Sequence, residues 1–264
     1  AEEIVKKCDL SLFDRERLIE GFTRTAHTLV PLIWELSRIC DGDAGNYVHW
    51  GATTQNITQT GDLLQLRKAH RIYLKQLGQI FGALADLAER SKDMALPGRT
   101  HGQHAVPATY GLKVAIWIDE FARHAERLRE CEPRVFQALL GGAAGTVASF
   151  GDEGLKVQAQ MASHLNMPAM PVPARSIMDH LAEHIMILAL LASTCGKFGY
   201  EIYTGMKQEF GEVEEPISPG TVGSSTMPQK RNPHLSQDVM AYAAQIRTMV
   251  PLTLETIMTE HEAN

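Results

Sequence analysis

Residues 62–90 read DLLQLRKAHRIYLKQLGQIFGALADLAER. Their apolar side chains fall at Leu63, Leu66, Leu74, Leu77, Ile80, Phe81, Leu84 and Leu87. These three- and four-residue steps trace one face of a helix, so the stretch predicts a long amphipathic helix. The same period recurs along the chain. A second helix is expected from Pro107 to about Glu130, with Pro107 at its opening. A third is expected from about His180 to Phe210, apolar on nearly all sides in its first half. A fourth is expected from Pro233 to His261, with a kink near Pro251. An earlier one covers Asp14 to Ile39, kinked or broken at Pro31. Alternating strand-like runs are almost absent. Helices this long are about twice the usual globular length. The expected fold class is all-α, a bundle of long helices.

The 264 residues are 44% hydrophobic, enough for a sizeable core. The formal charge of -6 lacks the basic excess that nucleic-acid binding needs, so no nucleic-acid partner is expected. Cys8, Cys40, Cys131 and Cys195 form no CxxC pair, which suits free thiols in a reducing compartment. The apolar run from Ile185 to Cys195 is short for a bilayer, so no membrane partner is expected. Together these suggest a cytoplasmic protein. No signal peptide is read at the start of the sequence. It begins with Ala1, not Met, inside a helix-like pattern, so a fragment of a longer protein is expected.

Gly and Pro gather between the helices, at 42–51, 97–102, 141–151, 167–173 and 216–233, and polar chemistry gathers with them. Gly220-Thr221-Val222-Gly223-Ser224-Ser225-Thr226-Met227-Pro228-Gln229-Lys230-Arg231-Asn232-Pro233 combines mobile backbone, several hydroxyls, a lysine and an amide before a helix start. A solvated linker would have the same composition. It has no need of Met-Pro-x-Lys-x-Asn before an apolar helix, which favours a substrate loop. Gly98-Arg99-Thr100-His101-Gly102-Gln103-His104 sets two imidazoles in a glycine-bounded turn, suited to proton transfer near neutral pH or to a plain surface loop. His49-Trp50-Gly51-Ala52-Thr53-Thr54-Gln55-Asn56 is a third polar cluster, and helix capping is the simpler reading for Asn56. His180-Leu181-Ala182-Glu183-His184 matches H-x-x-E-H, an inverted zinc-peptidase pattern, without an evident third ligand. No metal site is expected from it.

Gly223 to Pro233 reproduces in full G-S-S-x-M-P-x-K-x-N-P, the signature of the fumarase/aspartase superfamily of lyases, and the chain resembles that family over nearly its whole length. The segments 98–103 and 49–56 resemble its other two conserved regions, in the family's order. His49-Trp50-Gly51-Ala52-Thr53-Thr54 and Leu140-Gly141-Gly142-Ala143-Ala144-Gly145-Thr146 resemble the branch holding adenylosuccinate lyase and 3-carboxy-cis,cis-muconate cycloisomerase. The resemblance implies a helical core shared by a homotetramer, with each active site built from several subunits. It implies that residues 1–48 end an N-terminal helical domain, that 49–264 form the central bundle, and that a C-terminal domain is absent.

The resemblance also implies a chemistry: reversible anti β-elimination from a succinyl-type substrate, by C–N cleavage that releases fumarate. No cofactor is implied. Ser224 matches the base and His101 the acid. Lys230 and Asn232 match residues that hold substrate carboxylates. His49, Thr53, Thr54, Thr100, Gln103 and Ser225 match further substrate contacts. Two departures stand out. Asn56 replaces the branch's usual Asp, and Met178 to Glu183 lacks the arginines that contact a nucleotide in adenylosuccinate lyase. Arg175, one turn earlier, is a stand-in for them. The cycloisomerase is the alternative activity. An inactive structural relative and a zinc hydrolase are more distant readings.

Overall fold

The computed structural model describes residues 1–217, 219–220 and 222–262. Ser218, in the Gly- and Pro-rich segment 216–233, and Thr221, inside the expected substrate loop, lie outside the described residues, as do Ala263 and Asn264 at the end of the expected central bundle. The elements in chain order are α1 (Glu2–Lys7), α2 (Arg15–Thr25), α3 (Val30–Ile39), α4 (Thr54–Ser91), β1 (Ala95–Thr100), β2 (Gln103–Thr109), α5 (Tyr110–Val135), α6 (Gly154–His164), α7 (Asp179–Gly205) and α8 (His234–Glu255). The fold is helical, with one hairpin among the described residues. The chain divides into two compact units, one of residues 1–67, 136–177 and 259–264, the other of 68–135 and 178–258.

In the first unit, the expected helix Asp14 to Ile39 is two helices. The break falls at Ala26, in the left-handed region at φ 50°, and Pro31 stands in the first turn of α3. Asp14 caps α2 by accepting from the Glu16 and Arg17 amides. α4 begins at Thr54, eight residues before the apolar pattern does. The buried side chains of those extra turns are Asn56, Gln59 and Thr60, so hydrophobic periodicity does not mark them. Leu63, Leu139, Ala162, Met167 and Met170 form the apolar core of this unit. α6 has no counterpart among the helices expected from sequence.

In the second unit, α5, α7 and α8 pack with the remainder of α4. Trp117 is the hub of an aromatic cluster, edge-on to Tyr110 and to Phe198 with the Phe198 centroid 4.8 Å away. Gly199 lets α8 approach α7, since a Cβ there would lie 3.1 Å from the Ser236 carbonyl. Pro251 lies inside α8, which ends at Glu255 rather than His261, and α7 ends at Gly205 rather than Phe210.

The segment expected to be a loop with a helix opening at Pro107 is instead an antiparallel hairpin, and Pro107 belongs to β2. α5 opens at Tyr110, capped by Thr109 Oγ1, which accepts from the Leu112 amide. Pro97 and Pro107 stand opposite each other, and the register shifts between Gly98 and Arg99. A strand with so many Gly and Pro residues, exposed along Thr100 to Val106, shows no apolar alternation to reveal it.

α7 is long and apolar enough to cross a membrane, with a mean hydropathy of 1.4 over its best window. The uninterrupted-run criterion missed this. The helix nonetheless buries His180, His184 and Thr194 and packs against α5 and α8, as the central helix of a bundle does.

Candidate active site

The Ser224 loop is held by its own side chains. Asn232 Nδ2 donates to the Gly223 carbonyl at 2.7 Å, and His234 Nε2 lies 3.4 Å from the same oxygen. The Ser224 hydroxyl accepts from the Met227 amide at 3.2 Å, and the Lys230 amide closes a turn onto the Met227 carbonyl. Gly223 runs so close to Lys230 that an added Cβ would lie 3.3 Å from the Lys230 carbonyl. Ser224 and Asn232 are half-buried, whereas Ser225 and Lys230 are exposed. An open cleft of about 910 Å³ is lined by Lys207, Gln229, Lys230, Arg231 and Asn232, with Glu212 and Glu214 on its wall. Among the described residues, Lys230 has no carboxylate partner. Its ammonium therefore keeps its positive potential for an anionic ligand.

His101 sits at the tip of the hairpin. Thr100 and Gln103 are paired, leaving His101 and Gly102 as a two-residue turn with φ values of 52° and 76°. Two successive positive φ values are what a type I′ turn demands, and Gly102 meets the second at no steric cost. Thr100, His101 and Gln103 are all exposed. Arg99 turns inward to Glu212 at 2.6 Å and lies over the Phe210 ring.

The first conserved segment belongs to the other unit. Asn56 Oδ1 accepts from the Thr53 amide at 3.1 Å and from the Gly142 amide at 2.9 Å. The side chain thus reaches back to the residue preceding α4, half of a capping box, and also pins the glycine-rich turn 141–145. An Asn at this position supplies an acceptor without a charge. Gly141 has no room for a side chain, since a Cβ would come 1.8 Å from the Pro173 carbonyl. His49 has φ 63° and a buried Nε2 with no partner, and burial pushes its pKa down. Thr53 and Thr54 are half-buried. Arg175 is held by Gln55, donating to its Oε1 at 2.8 Å.

The model of the family described as Lyase matches residues 5–248. This chain belongs to the fumarase/aspartase superfamily of lyases. Among its relatives, N-acetyl-S-(2-succino)cysteine lyase of Enterococcus italicus is 40% identical over 99% of this chain and 57% of the relative. The 3-carboxy-cis,cis-muconate cycloisomerase of Pseudomonas aeruginosa is 39% identical over 97% of this chain and 56% of the relative. The crystal structure of a fumarate lyase from Mesorhizobium sp. BNC1 superposes with a TM-score of 0.89 at 35% identity, over 100% of this chain and 58% of that one. The chain thus spans just over half the length of the superfamily members it matches.

Within this superfamily member, the two histidines of H-x-x-E-H are core residues. His184 is fully buried and its Nε2 lies 3.2 Å from His70 Nδ1, while His70 Nε2 lies 3.1 Å from Glu132. Glu183 is tied to Arg134. Among the described residues no group of three or more His, Cys, Asp or Glu side chains is arranged to hold a metal. Sequence reasoning quoted Gln55 and Arg99 within their clusters without giving them a role, and passed over His234 and the carboxylates Glu212, Glu214 and Glu215. The density of acid just before the signature was the available signal.

Proposed function

We propose that the protein containing this chain is a lyase that releases fumarate from a succinylated small molecule by anti β-elimination. The observation that carries the reading is the closed signature loop, with Ser224 oriented by an amide and Lys230 free in the cleft. Ser224 Oγ, as alkoxide, takes the proton from the carbon alpha to one carboxylate. The electron pair left behind passes through an aci-carboxylate into the new C=C bond. The bond from the neighbouring carbon to the heteroatom breaks, and His101 donates a proton to the leaving atom. Lys230 and the loop amides stabilise the negative charge as it develops. Thr53, Thr54, Thr100, Gln103, Ser225 and Asn232 bind the substrate, and His49 supports the acid. No redox step occurs, and this reading assigns every proton transfer to the chain's own residues. Residues 49–264 serve as the central domain, residues 1–48 end the preceding one, and the setting is cytoplasmic.

Arg175 is already held by Gln55, and His180, in the place of the second nucleotide-contacting arginine, is buried. Both favour a substrate without a nucleotide phosphate. The leaving atom is the nitrogen of a succinylated amine or the sulfur of a succinylated thiol. The second reading, cycloisomerisation of a carboxymuconate, is favoured by the 39% identity to that enzyme.

An exposed face of α8 supports the same reading. α8 leaves Leu235, Val239, Tyr242, Ile246 and Met249 exposed at alternating four- and three-residue steps, the spacing of a helix seam awaiting a partner. A homotetramer that shares its active sites between subunits covers that seam.

The test offers the full-length protein N-acetyl-S-(2-succino)cysteine, adenylosuccinate and 3-carboxy-cis,cis-muconate, following fumarate by absorbance. Fumarate from either succinyl compound is expected. A lactone formed from the muconate alone establishes the second reading, and no turnover of any of the three overturns both.

A further inference from the structure

The ribbon Glu212-Val213-Glu214-Glu215 joins the end of α7 to the signature loop, and each of its carboxylates holds a different element. Glu212 accepts from Arg99 Nη2 in the hairpin at 2.6 Å. Glu214 pairs with Arg231 of the signature loop at 2.8 Å. Glu215 accepts from the Leu235 and Ser236 amides at 3.0 and 2.8 Å, and from the Ser236 hydroxyl, at the start of α8. The ribbon itself is fixed, since the Glu212 amide donates to the Gly205 carbonyl at 2.9 Å. Gly205 also faces Val213, whose Cγ2 would lie 2.8 Å from an added Cβ.

The hairpin needs such a hold. Thr100 to Val106 are exposed on both strands, and the register is irregular beside Arg99. A short two-stranded hairpin is marginal by itself in water. Arg99 and Glu212 are each about four-fifths buried, 21% exposed. The Arg99 guanidinium also lies 5.0 Å from the centre of the Phe210 ring. A guanidinium that stacks on a ring and donates through one Nη to a carboxylate is fixed in direction as well as distance. The Arg99 guanidinium holds the Glu212 carboxyl below the usual carboxylate range. The pair therefore stays ionised across neutral pH.

We propose that Arg99 and Glu212 are positioning residues. Their ion pair latches the hairpin tip to the ribbon and thereby sets where His101 stands. This rests on the lyase reading only in giving His101 the role of acid. The latch fixes the hairpin two residues before His101, on the ribbon that leads to the Ser224 loop. A change at Glu212 is thus felt first in proton delivery by His101, and also in the substrate contacts of Thr100 and Gln103 on the same tip.

The experiment uses full-length protein carrying Glu212→Gln and, separately, Arg99→Lys, which keeps the charge and loses the guanidinium. Steady-state kinetics are measured with whichever succinyl compound the wild type turns over. Amide hydrogen exchange is measured on peptides covering Thr100–Val106 and, as a reference, α5. For Glu212→Gln, kcat is expected to fall by roughly 10- to 100-fold, with a smaller rise in KM because Thr100 and Gln103 share the tip. Exchange at the tip is expected to quicken while α5 is unchanged. Arg99→Lys should give a smaller loss of the same kind. An unchanged tip exchange in Glu212→Gln overturns the latch whatever the kinetics. An unchanged kcat, or a loss matched by faster exchange in α5, overturns the positioning role. A wild type inactive on every succinyl compound faults the lyase reading instead, and the tip exchange then decides the latch alone.

Discussion

Asn232 donates its amide to the carbonyl of Gly223, nine residues earlier, at 2.7 Å. That bond closes the signature loop, so Asn232 has a structural duty besides any contact with a substrate carboxylate. Asn232→Asp replaces the donor with an acceptor facing the carbonyl. The loop should open, and kcat/KM should fall at least about tenfold, the worth of roughly 1.4 kcal/mol. Faster hydrogen exchange across 223–232 should accompany it. An Asp variant with wild-type kinetics and exchange would show that the bond is dispensable.

Ser224 lies in that loop and outside the helical core. Ser224→Ala should reduce turnover by about 10²- to 10⁴-fold and leave the melting temperature nearly unchanged. Activity within tenfold of wild type removes Ser224 from the mechanism. Mixing Ser224→Ala with His101→Asn subunits separates a shared site from a private one. If one chain's serine and histidine serve different sites, hybrids contain some sites with both groups intact, and activity partly returns. Verified hybrid tetramers without recovery count against sharing.

The exposed seam of α8 predicts how the subunits associate. Ile246 is 41% exposed in the isolated chain, on the line that joins Val239, Tyr242 and Met249. A lysine at Ile246 costs little in a monomer and much in a helix interface. Ile246→Lys should shift the full-length protein to smaller species in size-exclusion chromatography, with helical circular dichroism retained. An unaltered elution volume would place the interface elsewhere.

Two buried groups set two acid transitions. Burial, and then the neighbouring His70, push the His184 pKa from 6.5 down to about 4. Glu132 on α5, with Glu183, Arg134 and His180, surrounds this pair. Between those pH values the unfolded chain binds the proton that folded His184 refuses, so stability falls as pH drops from about 6.5 to 4. Glu35 behaves in the opposite sense chemically. Its bidentate contact with Arg38, at 2.6 and 2.8 Å, holds its pKa from 4.5 down to about 2. Its contribution is present above 4.5 and is lost as pH falls towards 2. Urea midpoints measured against pH should show both slopes. His184→Gln should flatten the upper one, and Glu35→Gln the lower one at a cost of about 1–3 kcal/mol near neutral pH. An upper slope that survives His184→Gln assigns that transition to other buried histidines.

By itself, the sequence determined the long helices and the family. Apolar residues recurring every three or four positions depend only on local geometry, and Gly223 to Pro233 is a contiguous string. It also placed Ser224, His101, Lys230 and Asn232 in loops, because Gly and Pro mark loops locally. Only the tertiary structure decided the rest. The hairpin under His101 is built from backbone pairing across Pro97 and Pro107, which leaves no hydrophobic period. The first turns of α4 bury Asn56, Gln59 and Thr60, and the long-range partners of Asn56 and Thr60 lie in the distant 139–142 turn. Arg99 and Glu212 meet across 113 residues of chain. A hydrogen bond or ion pair between distant segments is set by the folded path of the backbone, and neither residue's neighbours in sequence carry a trace of it.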